Sequence, residues 1–392
     1  MKCHSFNSEL VPATVSISRF RGQNGVDEYY LIVRPTEHES IEVQLGWVFR
    51  AYKDALNSIG LDTQTSVFRR FFCSDLTNQA DALAARSFSN PQNSDEPCAV
   101  SWVCQPPLTP AKVSLWAYHI SDPDCKLDKT RQGASLILKR GELSHCWTTG
   151  LIHPAGETPY AQTQEILKEY EAFLRARGMT LADNLIRTWF FVQDIDANYK
   201  GLVAARKEFF TEHGLTPETH FVASTGIEGK AANPAAKILL DAYAISGVRQ
   251  EQIKYLSALD HLSPTQLYGV TFERGTSIAY RDRKHVLISG TASIDHQGNI
   301  MHVGDLSGQI GRTVENVEAL LKTAGATLKD MCILVAYVRD PEDQMVVSQQ
   351  IREQFGDIPM EVLVAPVCRP GWLVEIEGMA IIQASAPELP PF

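Results

Sequence analysis

Two glutamates near the carboxyl end of the chain, Glu375 and Glu377, are the residues best suited to chemistry. They belong to the apolar run at residues 373–381, which predicts a buried strand. Side chains alternate along a strand, so residues two apart share a face, and two carboxylates there repel each other and raise a pKa. A carboxyl group with a raised pKa suits a general acid. The alternatives are that the pair faces solvent at a sheet edge, or that one glutamate pairs with an arginine.

Four arginines are candidate anchors for a carboxylate ligand, because the planar guanidinium group can bind both carboxylate oxygens. Arg274 ends a predicted strand, and Arg369 directly follows Cys368. For these two, ligand binding and a surface ion pair are equally compatible with the sequence. For Arg187 and Arg206, nearer the middle of the chain, a surface ion pair is the preferred interpretation.

Hydroxyl and thiol groups complete the set of candidate binding residues. Ser289 and Thr291 flank Gly290, where a ligand can approach the backbone closely, although Gly290 is equally explained as a bulge that curves the sheet. Tyr268 offers a phenol to the same region, with aromatic packing as the alternative. Cys368 is a candidate contact, although a lone cysteine in an apolar strand is more often an inert core residue.

Composition and motifs exclude several classes of function. The formal net charge of −10 and the absence of a basic run argue against nucleic acid as a partner. No Gly-rich phosphate loop, Ser-His-Asp order or metal-ligand spacing is present, so we expect no metal and no cofactor. The sequence contains no run of eighteen apolar residues that would predict a membrane helix, and the first ten residues lack the apolar core of a secretory signal. We therefore expect a cytoplasmic protein whose chemistry is acid catalysis.

The elements that position these residues occur three times along the chain. In each copy an apolar strand ends at an aspartate, and a helix-ending glycine precedes that aspartate by 15 or 16 residues. The three pairs are Gly60 with Asp75, Gly178 with Asp194, and Gly325 with Asp340. A repeat of this length indicates duplication of a whole domain.

The order of elements within each copy is β-β-α-β-α-β-β, which predicts an α+β fold of three tandem β-sheet-plus-two-helix domains. We place the domains at residues 1–121, 131–246 and 253–386, with linkers at 121–133 and 246–264. The first strand of the third domain is predicted at residues 270–274. Alignment of the closing strands places Ser114, Leu239 and Glu375 at one position and Trp116, Asp241 and Glu377 at another.

The third copy resembles the Rid (YjgF-type) superfamily, also known by the name endoribonuclease L-PSP. The resemblance rests on His285-Val-Leu-Ile-Ser-Gly-Thr-Ala-Ser-Ile-Asp295, Gly304-Asp-Leu-Ser-Gly-Gln309, Val314-Glu-Asn-Val-Glu-Ala-Leu-Leu321, Val335-Ala-Tyr-Val-Arg-Asp340 and Val374-Glu-Ile-Glu-Gly-Met-Ala380. Single-domain Rid proteins are homotrimers with ligand clefts between subunits. The resemblance therefore implies that the three copies form an intramolecular pseudo-trimer, monomeric in solution.

A second resemblance covers residues 185–378 and points to chorismatases, which process chorismate within a Rid-like fold. It rests on Arg187-Thr-Trp-Phe-Phe-Val-Gln-Asp-Ile-Asp196, Ala205-Arg-Lys-Glu-Phe-Phe210, Ser224-Thr-Gly-Ile227, Ser289-Gly-Thr-Ala-Ser-Ile294 and Cys368-Arg-Pro-Gly-Trp-Leu-Val-Glu-Ile-Glu-Gly378. In that family a glutamate of the closing strand is the proposed proton donor. The resemblance implies a hydrolase or lyase that acts on a small cyclic carboxylate between the second and third copies.

One residue departs from the pattern of Rid deaminases. Met360, fifteen residues before Glu375, stands where those enzymes place the arginine that binds the substrate carboxylate. Imine hydrolysis of the usual kind is therefore disfavoured. Two alternatives to the chorismatase-like enzyme remain: a non-catalytic protein that binds a small metabolite, and a residual imine or enamine deaminase that uses Arg369.

Overall fold

The computed structural model describes residues 1–90, 97–265 and 269–392. In these ranges the chain forms three six-stranded mixed sheets and seven α-helices, so the predicted α+β class is confirmed. The first sheet and its helices are β1 (Lys2–Asn7), β2 (Ala13–Phe20), β3 (Asp27–Pro35), α1 (Ile41–Ser58), β4 (Ser66–Cys73), α2 (Leu76–Ala84), β5 (Ala99–Cys104) and β6 (Val113–Ser121).

The second and third repeats have the same architecture. The second comprises β7 (Asp128–Gln132), β8 (Ser135–Arg140), β9 (Leu143–Leu151), α3 (Pro159–Arg175), the one-turn α4 (Leu181–Asn184), β10 (Leu185–Val192), α5 (Ile195–Glu212), β11 (Ala223–Glu228) and β12 (Ile238–Ser246). The third comprises β13 (Ile253–Tyr255), β14 (Gly275–Ala279), β15 (Arg283–Ala292), α6 (Leu306–Ala324), β16 (Met331–Val338), α7 (Gln344–Phe355), β17 (Met360–Val364) and β18 (Val374–Gln383).

The three sheets share one strand order. The orders are β1-β2-β3-β6-β4-β5, β7-β8-β9-β12-β10-β11 and β13-β14-β15-β18-β16-β17. In each sheet only the last pair is parallel, and a helix makes the crossover between its two strands. The closing strands β6, β12 and β18 therefore lie in the middle of their sheets, with a hydrogen-bonded neighbour on either side.

The long helix of each repeat begins at a side-chain cap and is followed by a glycine that reverses the chain. The caps are Ser40, Thr158 and Asp305, whose side chains accept hydrogen bonds from backbone N–H groups of the first turn. The glycines are Gly60, Gly178 and Gly325, with φ of 74°, 68° and 80°. This left-handed conformation suits glycine, and it confirms the helix ends predicted from the repeat.

The expected strand at residues 270–274 is wrong. Strand β14 begins only at Gly275, because the preceding backbone pairs with the second repeat: the N–H of Glu273 donates to the carbonyl oxygen of Val222 at 2.9 Å. Strands β1, β7 and β13 were not predicted, and β7 lies within the presumed linker at 121–133. These edge strands are largely exposed, so they lack the apolar pattern that reveals a buried strand.

One apolar core is shared by all three repeats. Aromatic residues from the first and second repeats, among them Trp116 and Trp147, pack there with aliphatic residues of the third, such as Val335. Helices α1 and α3 instead close separate cores on the other faces of their sheets. Isolated backbone bridges join Cys104 to Lys230, Pro107 to Leu363 and Ile227 to Val367. Each repeat thus contacts both of the others.

Candidate functional site

Strand register confirms the alignment of the three closing strands. Trp116 pairs with Arg70, Asp241 with Trp189, and Glu377 with Val335. Each of these partners lies five residues before the repeated aspartate of its own repeat. Glu375 and Glu377 therefore have counterparts of known identity in the other repeats, and only the third repeat carries a carboxylate at both positions.

A cavity of about 410 Å³ lies between the second and third repeats, and we call it the second–third cleft. The second repeat contributes residues of α5 and β11, and the third contributes residues of β15 and β18 and of the segments before β14 and β18. The lining residues that bear on chemistry are Lys200, Arg206, Ser224, Arg274, Arg369 and Glu375. Four of these six carry a positive charge, and Glu375 comes from the strand that the sequence singled out.

Glu375 is an almost fully buried acid at the wall of this cleft. Its side chain is 5% exposed, and burial raises its pKa to about 8, with the nearby charge of Glu377 as a further cause. Arg187 and Arg274 act in the opposite direction but do not cancel the shift. The carboxyl group consequently holds its proton at neutral pH. That is the state a general acid needs before it meets a substrate.

Glu377, two residues along the same strand, lies in the interior behind the cleft. Its Oε1 atom accepts hydrogen bonds from Trp189 Nε1 at 3.0 Å and from the Tyr337 hydroxyl at 2.9 Å. Its Oε2 atom accepts from Arg187 Nη2 at 2.6 Å and from the Thr225 hydroxyl. Four donors thus hold this carboxylate, and the ion pair with Arg187 is the arrangement that the sequence left open as an alternative.

Thr225 links the Glu377 cluster to the cleft wall. Its hydroxyl donates to Glu377 and accepts from Arg187 Nη2 at 2.6 Å and from the backbone N–H of Gly290 at 2.9 Å. Gly290 lies at a register shift between β15 and β18, so it is a bulge. A Cβ atom built on Gly290 would lie within 2.8 Å of the carboxyl carbon of Glu375. Thr225 therefore fixes the backbone against which the acid rests.

Arg206 is the cleft arginine that the sequence interpreted as a surface residue. It is 1% exposed, and burial lowers its pKa. Its guanidinium group donates to the hydroxyls of Thr271 at 3.1 Å and Ser224 at 3.3 Å, and it forms no ion pair with a carboxylate of the described residues. A buried cation held only by neutral groups favours an anionic ligand. Arg187 is also buried, but its guanidinium group forms an ion pair with Glu377.

The two arginines favoured by the sequence line the same cleft. Arg274 donates to the carbonyl oxygen of Ser263 at 3.0 Å and lies over the ring of Phe272. Arg369 is half-buried and lies over the ring of Trp372. The aromatic contacts fix the direction of both guanidinium groups while leaving them at the cavity wall.

The other predicted contacts differ in where they lie. Ser289 and Thr291 are buried away from the cavity: the Ser289 hydroxyl bonds Arg187, the Ser224 backbone N–H and the Glu273 carbonyl oxygen, and Thr291 bonds the Ser289 carbonyl oxygen. Cys368 does line the cleft, but burial raises its pKa to about 12, so its thiol stays protonated at neutral pH. Tyr268 lies outside the described residues.

Sequence reasoning missed the part played by Thr225 and Ser224. Ser224 pairs with Thr188, six residues before Asp194, as Met360 pairs with Leu334, six residues before Asp340. Ser224 is thus the second-repeat counterpart of Met360, and it is Ser224 that lines the cleft with Glu375. Counting the fifteen-residue spacing back from Leu239 as well as from Glu375 would have identified it.

Other classes of site are not evident. In the described ranges no group of three or more His, Cys, Asp or Glu side chains is placed to hold a metal ion. None of the described helices combines the length and apolar character needed to cross a membrane.

Comparison with known proteins connects this architecture to characterised relatives. The family model described as Endoribonuclease L-PSP matches residues 276–382. The 3-hydroxybenzoate synthase of Streptomyces hygroscopicus is 28% identical over 255 residues, which cover 59% of this chain and 71% of that protein. The 3-aminoacrylate deaminase RutC of Acinetobacter baylyi is 30% identical over 97 residues, covering 24% of this chain and 77% of that protein.

A solved structure extends the likeness beyond the third repeat. The crystal structure of a chorismatase superposes with a TM-score of 0.60 at 20% identity, covering 81% of this chain and 93% of that one. Three repeats of one topology with a cleft between two of them define an α+β protein built by domain duplication. The chain belongs to the Rid (Endoribonuclease L-PSP) superfamily, and over most of its length its fold is similar to that of a chorismatase.

Proposed function

We propose that this protein is an enzyme that cleaves the enol ether of chorismate, or of a close cyclic relative, in the second–third cleft. Glu375 is the general acid. The observation that carries the proposal is a buried carboxyl group with a pKa of about 8 at the wall of a cavity lined by cationic side chains. A small-molecule site of this kind normally encloses several hundred cubic ångströms, and this cavity of about 410 Å³ has the size for a ten-carbon ligand.

The charge of the cleft supports a dicarboxylate ligand. Among the described lining residues, Lys200, Arg206, Arg274 and Arg369 are cationic, whereas Asp196 and Glu375 are acidic. Asp196 pairs with Arg339 at 2.7 Å, and Glu375 is neutral at pH 7. The cleft thus carries an excess of positive charge, which two carboxylates on one ligand would partly neutralise. Chorismate has one carboxylate on its ring and one on its enolpyruvyl side chain.

The proposed reaction begins with the proton on the carboxyl group of Glu375. Glu375 donates it to the methylene carbon of the enol ether, which leaves an oxocarbenium ion. In a hydrolase, water adds to this ion, and the resulting hemiketal breaks its bond to the ring oxygen to release pyruvate and a ring diol. In a lyase, the same addition of water releases pyruvate, and the ring then loses its other hydroxyl group and a ring hydrogen as water, which leaves aromatic 3-hydroxybenzoate. Both routes return the proton to Glu375, and the lyase route has no net uptake of water.

Glu375 and Glu377 have different roles in this scheme. Glu377 accepts four hydrogen bonds and does not line the second–third cleft, and its charge raises the pKa of its neighbour Glu375. Cys368 does not act as a nucleophile in this scheme, because its thiol is protonated at neutral pH. Arg206, Arg274 and Arg369 bind the carboxylates of the substrate.

The test is to incubate the protein with chorismate and to follow pyruvate with a coupled assay, while chromatography separates 3-hydroxybenzoate from the ring diol. We expect turnover, and a loss of about 10² to 10⁴-fold in kcat on Glu375→Gln, the range that a positioned general acid supplies. Glu353→Gln, an exposed change on α7, is the matched control and should be neutral. Turnover that survives Glu375→Gln would contradict the role of Glu375.

A non-catalytic binding protein is the second candidate, favoured by Ser224. In this cleft Ser224 occupies the position at which Rid deaminases carry their carboxylate-binding arginine, which also argues against imine hydrolysis. A thermal-shift screen with keto acids, amino acids and aromatic carboxylates distinguishes the two candidates. Binding of chorismate without conversion would favour the binding protein, and conversion of every binder would exclude it.

A further inference from the structure

A second cavity lies between the first and second repeats, and we call it the first–second cleft. It encloses about 680 Å³ and is therefore larger than the second–third cleft. Its walls come from α2, β5, β7, β9 and β12. Leu239 stands at the position that Glu375 holds in the second–third cleft, and Gly150 stands at the bulge position of Gly290. The two clefts are thus counterparts generated by the domain duplication.

The first–second cleft has lost the acid and gained apolar surface. Leu239 replaces Glu375, and Val100, which pairs with Arg69 six residues before Asp75, replaces Ser224. Trp102 lies beside them, with its indole nitrogen bound to the carbonyl oxygen of Ser89 at 2.7 Å, so that the ring is fixed at the wall. The described residues that line this cavity include no carboxyl group to act as a general acid, and the cavity retains room for an apolar ring.

Arg131 is the one cationic side chain among the described residues that line the first–second cleft. It lies on β7 and donates to two backbone carbonyl oxygens, those of Gly133 at 3.2 Å and Cys98 at 3.3 Å. No carboxylate of the described residues forms an ion pair with it, and burial lowers its pKa. A partly desolvated guanidinium group beside apolar walls favours a ligand with one carboxylate.

We propose that the first–second cleft is a second, non-catalytic binding site for a small apolar monocarboxylate. Arg131 binds the carboxylate, and the ring of the ligand packs between Trp102 and Leu239. Among the described lining residues there is one cation here and four in the second–third cleft, so the two sites differ in the charge of the ligand that they favour. The site does not depend on the reaction proposed for the second–third cleft, because the described residues that line the two clefts do not overlap.

The test locates the ligand directly in the full chain. Crystals soaked with 4-bromobenzoate should show an anomalous bromine peak between Trp102 and Leu239. In solution, calorimetric titration with benzoate should show saturable binding. Arg131→Gln should lower the affinity for benzoate about tenfold or more, and the neutral isostere benzamide should bind the unmodified protein more weakly by a similar factor. Leu239→Trp, which fills the cavity, should abolish the same signal.

Arg206→Gln is the matched control, because it removes a buried arginine from the other cleft and should leave benzoate binding at Arg131 unchanged. A bromine peak confined to the second–third cleft would overturn the proposal. So would benzoate binding that Arg131→Gln leaves intact and Arg206→Gln removes. Neither readout involves turnover, so a chain that fails to convert chorismate can still pass this test.

Discussion

The Cα atom of Gly290 faces the carboxyl group of Glu375 so closely that no side chain fits between them. A Cβ atom at residue 290 would lie within 2.8 Å of the carboxyl carbon and within 3.2 Å of the Thr225 methyl group. The two residues belong to neighbouring strands, and the bulge at Gly290 creates the space that the acid occupies. The position of the acid is therefore set by the absence of a side chain on the adjoining strand.

Gly290→Ala should displace Glu375 and lower kcat for pyruvate release by about a hundredfold, since a shift of about 1 Å at a reacting group has effects of that size. Gly311→Ala is the control, because a Cβ atom there meets nothing within 4 Å and an alanine favours the helix. Steady-state kinetics of the two variants provide the comparison. Equal activity in Gly290→Ala and the unmodified protein would mean that this contact does not position the acid.

The pH dependence of the reaction should report the ionisation of Glu375. Because the proposed acid must be protonated, kcat/KM should fall above a pH of about 8. Glu377→Gln removes a negative charge that raises the pKa of Glu375, so the alkaline limb should move to lower pH. A profile measured from pH 5 to 10 for both proteins checks the direction. A limb that moves upward, or does not move, would contradict the electrostatic role of Glu377.

Glu375 should also lower the stability of the protein in a pH-dependent manner. Its folded pKa of about 8 lies above the ordinary value of 4.5, so the folded state retains a proton that the unfolded state loses as pH rises. The contribution of this group to the free energy of unfolding therefore declines between about pH 4.5 and 8.

Glu375→Gln removes that ionisation and should raise the melting temperature more at pH 8 than at pH 5. The linkage corresponds to a difference on the order of 3 kcal/mol between those two pH values. Scanning calorimetry of both proteins at both pH values measures it. If the stabilisation by Glu375→Gln is the same at pH 5 and pH 8, the pKa of this buried group is not raised.

Arg206 should contribute to substrate binding more than to the chemical step. Arg206→Gln removes a buried cation that bonds only hydroxyl groups, so the folded state loses no ion pair with a described residue. We expect KM for chorismate to rise about tenfold with a smaller change in kcat, as for loss of an interaction that ground state and transition state share. Lys207→Gln, an exposed neighbour on α5, is the control. An unchanged KM would remove Arg206 from the binding site.

The three-repeat fold and the strand that carries Glu375 could be predicted because both correspond to periodic patterns in the sequence. The repeated glycine-to-aspartate spacing located the sheets, and the apolar alternation around Glu375 located a central strand. Strands β1, β7 and β13 could not be predicted, since their pairing depends on a neighbouring strand and not on burial.

The surroundings of each site residue depend on contacts between repeats. The apolar pattern within a single repeat carries no information about those contacts. Arg187 and Ser289 lie 102 positions apart, yet they share a hydrogen bond of 3.1 Å. The sequence therefore identified chemically suitable residues without separating Glu375, at the cavity, from Glu377, behind it. It also left Arg206 at the surface, because a lone arginine on an amphipathic helix is usually exposed.

Thr225 provides the last and most specific prediction, because its hydroxyl joins Glu377, Arg187 and the Gly290 bulge. Thr225→Val keeps the shape of the side chain but leaves the partly buried N–H of Gly290 without its acceptor, which costs about 1–3 kcal/mol of stability. It should also lower kcat, because the wall behind Glu375 is no longer fixed. Thr225→Ser retains the hydroxyl and should recover most of the activity.

Thr276→Val is the matched control for Thr225→Val, since the hydroxyl of Thr276 is buried on β14 without a hydrogen-bond partner among the described residues. We expect it to be neutral or slightly stabilising, with unchanged kinetics. The discriminating readout is the alkaline limb of the pH profile, which Thr225→Val should displace and Thr276→Val should not. If Thr225→Val loses stability but keeps both kcat and the pH profile, Thr225 has a structural role only.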